Sequence, residues 1–273
     1  MVVNTRAPRY WEVSLALCAL FLVYLLLGGC SRHFYAQPTG KPEVGIWVVR
    51  LKGWEGGDFR KQLQDIRVSG ATYILIRTHG KKLFQYNSEQ EVRTAIANFH
   101  REGIRVFGWG YVYGDDPLRD GDYGITSVRL GVDGYIWNVE GDFERQPDSL
   151  RRAEIICSRV EQLVHSEYPN VELGYSSFWN VEKHPGVQHA RWGESSTYSH
   201  PQSYWRTMKV SPKKGLYKTS VSYGNAEKFW GSGKKPIIPV GHAYNGHGDT
   251  QYIPPKEVIE FLQAAKGYGR VEI

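Results

Sequence analysis

From residue 44 to the end of the chain, short β-rich runs alternate with stretches of helical periodicity. Gly45–Leu51 (GIWVVRL) reads as a first strand, followed by a Gly-rich loop over residues 53–57. Asp58 is placed to cap a helix that runs through Leu63 and Ile66 and stops at Gly70. Ala71–Arg77 is almost continuously apolar, as expected of a strand covered on both faces. Ser88, with Glu91 three residues on, has capping-box spacing and opens a helix through Ile96 and Phe99 to Gly103. Further strands are expected at Arg105–Val112, Asp133–Val139, Val171–Phe178, Tyr198–Trp205, Leu216–Ser222 and Lys235–Ala243. Helices are expected at Ser149–His165 and Pro255–Ala265. Eight strands, most of them separated by helices, predict an α/β fold, a single (β/α)8 TIM barrel over residues 44–273, rather than an open doubly wound sheet.

The front of the chain follows a different pattern. Arg6 and Arg9 precede an unbroken run of apolar and small residues from Val13 to Leu27, shorter than the roughly 20 residues a membrane-spanning helix needs. This run ends in Leu27-Gly28-Gly29-Cys30, which resembles the lipobox of bacterial lipoprotein precursors. That resemblance implies that residues 1–29 are a signal peptide and that Cys30 carries lipid after cleavage. Residues 30–43, with Pro38, Gly40 and Pro42, would then be a tether. Several acyl chains make a stable anchor where one would be marginal. Ser31 stands where an inner-membrane retention signal would have Asp, so the resemblance points to the outer membrane if there is one. Of the three cysteines, Cys18 lies in the apolar run and Cys30 in the lipobox. Cys157 is left with no disulfide partner and reads as a small buried residue.

Charge and composition narrow the function classes. Setting aside Arg6, Arg9 and Glu12 takes the formal charge from +6 to +5, and the cations are scattered without a run of like charges. Nucleic acid is therefore not an expected partner. Nine Trp and eighteen Tyr are more than a core requires and suggest ring faces for stacking on sugars. Neither Gly-x-Gly-x-x-Gly nor a Walker loop follows the first strand, so no nucleotide cofactor is expected. His242 and His247 lie five apart beside Asp249, but in a Gly-rich loop with no fixed geometry, and no metal site is expected. The chain is expected to be a monomer.

In a barrel the chemistry sits at the C-terminal ends of the strands. Strand four ends in Asn138-Val139-Glu140-Gly141-Asp142, where period-two alternation puts Asn138, Glu140 and Asp142 on one face and Tyr135, Trp137 and Val139 on the other. With the first face inward, Glu140 projects into the barrel mouth. Arg77 and His79 end strand two, and Trp109 and Tyr111 end strand three. Tyr175 and Trp179 end strand five, Gln202 and Tyr204 strand six, and His242 and Tyr244 strand eight. These are the candidate ligand-binding residues, while Trp47 and Trp137 read as core. A carboxyl in an aromatic pocket suits general-acid work. Glycoside hydrolysis usually wants two carboxylates, for which Asp142 is the first candidate partner and Glu144 and Asp115 the next; a substrate N-acetyl group is the alternative nucleophile.

The span from Gly45 to the C-terminus resembles the glycoside-hydrolase-type TIM barrels that include phage-type muramidases and chitinase-like proteins, whose fourth strand ends in an Asp-x-Glu or longer acidic motif. Glu140 falls where those families keep the acid and Asn138 where they commonly keep an Asp. The resemblance implies an envelope-anchored hydrolase acting on a polysaccharide, peptidoglycan being nearest to hand. Two rivals stand beside it: an inactive barrel that binds glycan or a partner protein, for which Asn138 argues, and a metal-dependent deacetylase built on the histidines.

Overall fold

A computed structural model describes residues 41–225, 234–242 and 253–273. The lipobox with Cys30, most of the expected tether, and Tyr244, His247 and Asp249 lie outside the described residues.

Seven parallel strands form one sheet: β1 (Glu43–Val48), β2 (Tyr73–His79), β3 (Arg105–Val112), β4 (Gly134–Val139), β5 (Glu172–Phe178), β6 (Tyr198–Gln202) and β7 (Arg270–Glu272). Their order is β6-β5-β4-β3-β2-β1-β7. Between the two edges runs the segment 236–241. Ile238 and Val240 donate backbone hydrogen bonds to Ser199 and Pro201 of β6, and Gly241 donates to Glu272 of β7. Ser199 donates in return to Pro236, and Glu272 to Pro239. Pro236 and Pro239 have no N–H to donate, so the segment bridges both edges without becoming a regular strand. The expected strand at Lys235–Ala243 is this bridge.

The helices are α1 (Phe59–Ser69), α2 (Glu89–Arg101), α3 (Pro117–Arg129), the single turn α4 (Gly141–Glu144), α5 (Ser149–Glu167), α6 (His189–Glu194), α7 (Pro212–Asn225) and α8 (Pro255–Ala264). Local chemistry sets their ends. The Asp58 carboxylate accepts from the N–H groups of Arg60 and Lys61, and Gly70 closes α1 in the left-handed region at φ 71°. Ser88 and Glu91 form a complete capping box at the start of α2.

Two expectations fail here. Leu216–Ser222 is not a strand but the middle of α7, whose buried positions Pro212, Gly215, Leu216, Thr219 and Tyr223 recur at helical spacing. The last strand follows α8 rather than preceding it: Arg270–Glu272 pairs with β1 in parallel, Val271 opposite Val44.

The core has two layers. Inside the curve of the sheet Tyr73, Leu75, Phe107, Trp109 and Ile136 pack together, with Trp47 against them. Outside, between sheet and helices, lie larger clusters, one of them built on Tyr135, Trp137, Val139, Ile156, Cys157 and Val160. Each such buried side chain contributes about 1.5–3 kcal/mol. Cys157 is fully buried, and burial pushes its thiol up to about 12. Trp192 and Trp205 are core residues as well.

The inner layer also holds a carboxyl group. Glu272 is fully buried and accepts hydrogen bonds from Trp47 Nε1 at 2.8 Å, Tyr73 Oη at 3.1 Å and His200 Nδ1 at 3.1 Å. This network ties β7 to β1, β2 and β6.

Candidate functional site

Strict alternation along β4 holds through its end. Tyr135, Trp137 and Val139 join the outer core, Ile136 packs inside the sheet, and Asn138 and Glu140 open onto a cavity of about 630 Å3 at the C-terminal ends of the strands. Cavities of this size hold small organic ligands. Arg77, Trp109, Tyr111, Asn138, Glu140, Asp142, Gln202 and Tyr204 of the expected set line it.

Glu140 is anchored on one oxygen. Its Oε1 accepts from Asn138 Nδ2 at 2.9 Å and from Gln202 Nε2 at 2.8 Å. Gln202 Nε2 also lies 3.1 Å from Asn138 Oδ1, so the three side chains lock one another's orientation. Among the described residues no group donates to Oε2. Asp142, two residues on in α4, accepts from Tyr111 Oη at 2.9 Å on one oxygen and from Arg145 Nη2 at 2.8 Å on the other. Burial, then the charge of Glu140 and the bond to Asp142, push the Tyr111 hydroxyl well above its ordinary range, so it acts as a donor.

Four expected residues are not at the cavity. His79 would share the inner face with Arg77 if alternation continued, but the pairing of β2 with β3 slips between Arg77 and His79, a bulge that turns the histidine to the helix side. There its Nε2 meets Tyr135 Oη at 2.7 Å, and burial holds its ring down to about 3. Gly108 and Gly110 make this possible: they face outward from β3 opposite Thr78 and the His79 ring, and a Cβ at Gly110 would fall inside that ring. Tyr175 is fully buried on the helix side, because it pairs across the ladder with Trp137 and shares its face. Trp179 sits beyond β5 beneath Lys218, whose Nζ is 5.8 Å from its ring. His242 is buried behind Tyr204 and Trp205, its ring 5.1 Å and 5.9 Å from theirs.

Other residues at the cavity were not expected. Trp47, read as core, is half-buried and forms part of the wall, 5.0 Å from Trp109 between ring centroids. Tyr86, Tyr113 and Ser176 also face the cavity. Tyr113 and Ser176 lie on the inward phase of β3 and β5, a signal available from alternation; Tyr86 lies in the β2–α2 loop, where no periodicity marks it.

The secondary carboxylates have partners of their own: Glu144 with His184 Nδ1 at 2.8 Å, and Asp115 with Arg119. The histidines are dispersed, and among the described residues no group of three His, Cys, Asp or Glu side chains converges.

No family model matches this sequence, and no curated protein matches it. Solved structures do. A GH18 chitinase from Pseudoalteromonas aurantia superposes with a TM-score of 0.57 at 12% identity, over 84% of this chain and 92% of that one. A GH113 β-1,4-mannanase gives 0.56 at 11%, over 85% and 86%. The endo-β-1,4-mannanase from Thermotoga petrophila gives 0.53 at 10%, over 86% and 68%. At these identities the likeness is one of fold: the chain has the α/β barrel architecture seen in glycoside hydrolases.

Proposed function

We propose that this chain is a glycoside hydrolase-like barrel acting on a polysaccharide of the cell envelope, with Glu140 as general acid. The observation that carries the reading is the Asn138–Glu140–Gln202 cluster at the mouth of an aromatic-walled cavity. Two N–H donors occupy Oε1, so the transferable proton belongs on Oε2, which is left for a glycosidic oxygen. Asp142, fixed by Tyr111 and Arg145, is the second carboxylate and supplies negative charge as positive charge develops on the sugar. Trp47, Tyr111 and Tyr204 offer ring faces for stacking.

The test is Glu140→Gln in the full chain, with product analysis on peptidoglycan and a panel of polysaccharides. Turnover is expected to fall by about 10²- to 10⁴-fold while glycan binding persists; unchanged turnover removes Glu140 from the chemistry. One observation favours a second reading, a barrel that binds glycan without cleaving it. Asn138 stands in place of a carboxylate, and both Asp142 oxygens are already engaged. Binding without turnover by the unmutated protein selects that reading.

The anchor belongs to the same proposal. Lipid on Cys30 would hold the barrel, residues 44–273, by a tether of residues 30–43 beside its substrate, and the chain is taken to act as a monomer. Replacing Cys30 by Ser is expected to move the protein from the membrane fraction to the soluble one; retention in the membrane fraction would refute lipidation there.

A further inference from the structure

Arg77 is the unusual charge of the cavity. It stands half-buried on the inner face of β2, with its guanidinium 4.1 Å from the Tyr86 ring centroid and 4.9 Å from that of Trp109. Its Nε donates to the His79 carbonyl at 3.2 Å. Among the described residues neither Nη makes a hydrogen bond, and no carboxylate lies within ion-pair distance. Other arginines with comparable cover are treated differently. Arg191 holds Glu161, Arg206 holds Glu257, Arg270 holds Glu172 and Glu43, and Arg152 donates to three backbone carbonyls. A buried cation without an anion is costly, and burial indeed pushes the guanidinium of Arg77 below its ordinary range.

A second, independent feature points the same way. Arg50 lies 5.4 Å from the Tyr86 ring, and Lys81 lies 5.4 Å from the Tyr113 ring; neither is ion-paired among the described residues. Arg77 is thus the cation of the lining, with Arg50 and Lys81 behind it against the wall residues Tyr86 and Tyr113, while Glu140 and Asp142 stand on the β4 side. Glu140 is near enough to act on Arg77 without touching it, so the space between the two groups is where a ligand sits.

We infer that this cavity takes a sugar carrying a carboxylate, received by Arg77 while the adjoining glycosidic oxygen faces Glu140. The inference rests on the glycan reading above and narrows it to acidic glycans. The geometry favours a carboxylate because a guanidinium flanked by ring faces keeps its N–H bonds in plane, where a planar carboxylate makes two parallel hydrogen bonds. Gly80 lets the backbone pass close behind the guanidinium: a Cβ there would stand 2.7 Å from Gln85 Oε1 and 3.0 Å from Arg77 Nη2. The carboxylate has two chemical sources, the C6 acid of a uronic sugar or the lactyl ether of a muramic sugar.

The experiment is calorimetric titration of the full chain in detergent with two matched pairs of probes. One pair is a galacturonic acid oligomer and its carboxyl-reduced, neutral counterpart. The other is the N-acetylglucosamine–N-acetylmuramic acid disaccharide and N,N′-diacetylchitobiose. In at least one pair the acidic member is expected to bind about ten-fold or more tightly than the neutral one, and the pair that does so identifies the source. The ratio should shrink with added salt and fall towards one in Arg77→Gln. Lys81→Gln, at an exposed position, should lower it by a smaller factor. Equal binding within both pairs overturns this inference and leaves the glycan reading intact, as does a preference that survives Arg77→Gln. Binding of none of the four probes removes the glycan reading, and this inference with it.

Discussion

Asn138→Asp tests the geometry on which the site depends. The substitution keeps shape and volume but replaces the Nδ2 donor, 2.9 Å from Glu140 Oε1, by a second carboxylate oxygen. Two full negative charges at that separation would repel by about 6 kcal/mol at an effective dielectric near 20. The folded protein avoids that by retaining a proton; with about half of the repulsion relieved as the carboxyls move apart at the open mouth, the upper ionisation of the pair moves up by about 2 to 3 pH units relative to the unfolded chain. A folded-state pKa above the unfolded value contributes stability that is complete below about pH 4 and lost as pH rises through the folded value. The variant should therefore match the unmutated protein at pH 4.5 and fall about 3 to 4 kcal/mol short of it at pH 8. At about 2–4 °C per kcal/mol for a domain of this size, the deficit is a Tm difference near 10 °C. Thermal melts followed by far-ultraviolet circular dichroism at pH 4.5, 6 and 8 measure it. The same deficit at all three values would mean that Asn138 and Glu140 are not in contact.

Three other perturbations address the frame. Gly110→Ala drives a methyl into the His79 ring, which Tyr135 holds in place, and should cost several kcal/mol by overpacking; urea denaturation showing a loss under 0.5 kcal/mol would remove the bulge from its assigned position. Asp120 is buried in α3 with one oxygen accepting from Gly114 N at 2.7 Å, and burial raises its carboxyl to about 6. Its contribution is present below pH 4 and lost as pH rises through 6, so Asp120→Asn, which keeps an acceptor there, should gain about 2 kcal/mol on the unmutated protein between pH 4.5 and 7.5; a pH-independent difference contradicts the assignment. Glu272→Ala leaves Trp47, Tyr73 and His200 without their common acceptor and should destabilise by about 3–5 kcal/mol, read as a shift in urea midpoint, where a shift below 1 kcal/mol would show the network to be dispensable.

The parts of the fold and site that were legible in the sequence are those governed by local periodicity. Alternation along β4 sorts Trp137 from Asn138 and Glu140 correctly, and the caps at Asp58, Gly70 and Ser88 stand where their chemistry puts them. The same alternation, carried across the ladder from Trp137 to its partner, would have sent Tyr175 outward. His79 was out of reach of this reasoning, because a bulge depends on how two strands register, and its signal, the outward glycines 108 and 110, belongs to the neighbouring strand. The error at 216–222 has another origin: a Thr- and Tyr-containing run suits either period, and packing against α8 decided for the helix. The β7 strand is three residues long, too short to carry a period at all. Trp47 packs on the inner core as its reading implies, and because the inward face of the sheet becomes cavity wall near the mouth, it borders the cavity as well.

The Trp47–Trp109 pair has a further use. Two indoles 5.0 Å apart and inclined at 59° couple their electronic transitions and give a signed circular dichroism band that depends on their mutual angle. Both rings border the cavity. Another close tryptophan pair, Trp137 and Trp192, is sealed in the outer core at 5.6 Å and keeps its angle whatever occupies the mouth. The barrel thus contains a responsive chromophore pair and an insulated reference, so that occupancy of the cleft can be followed without a label and whether or not a ligand is ever turned over.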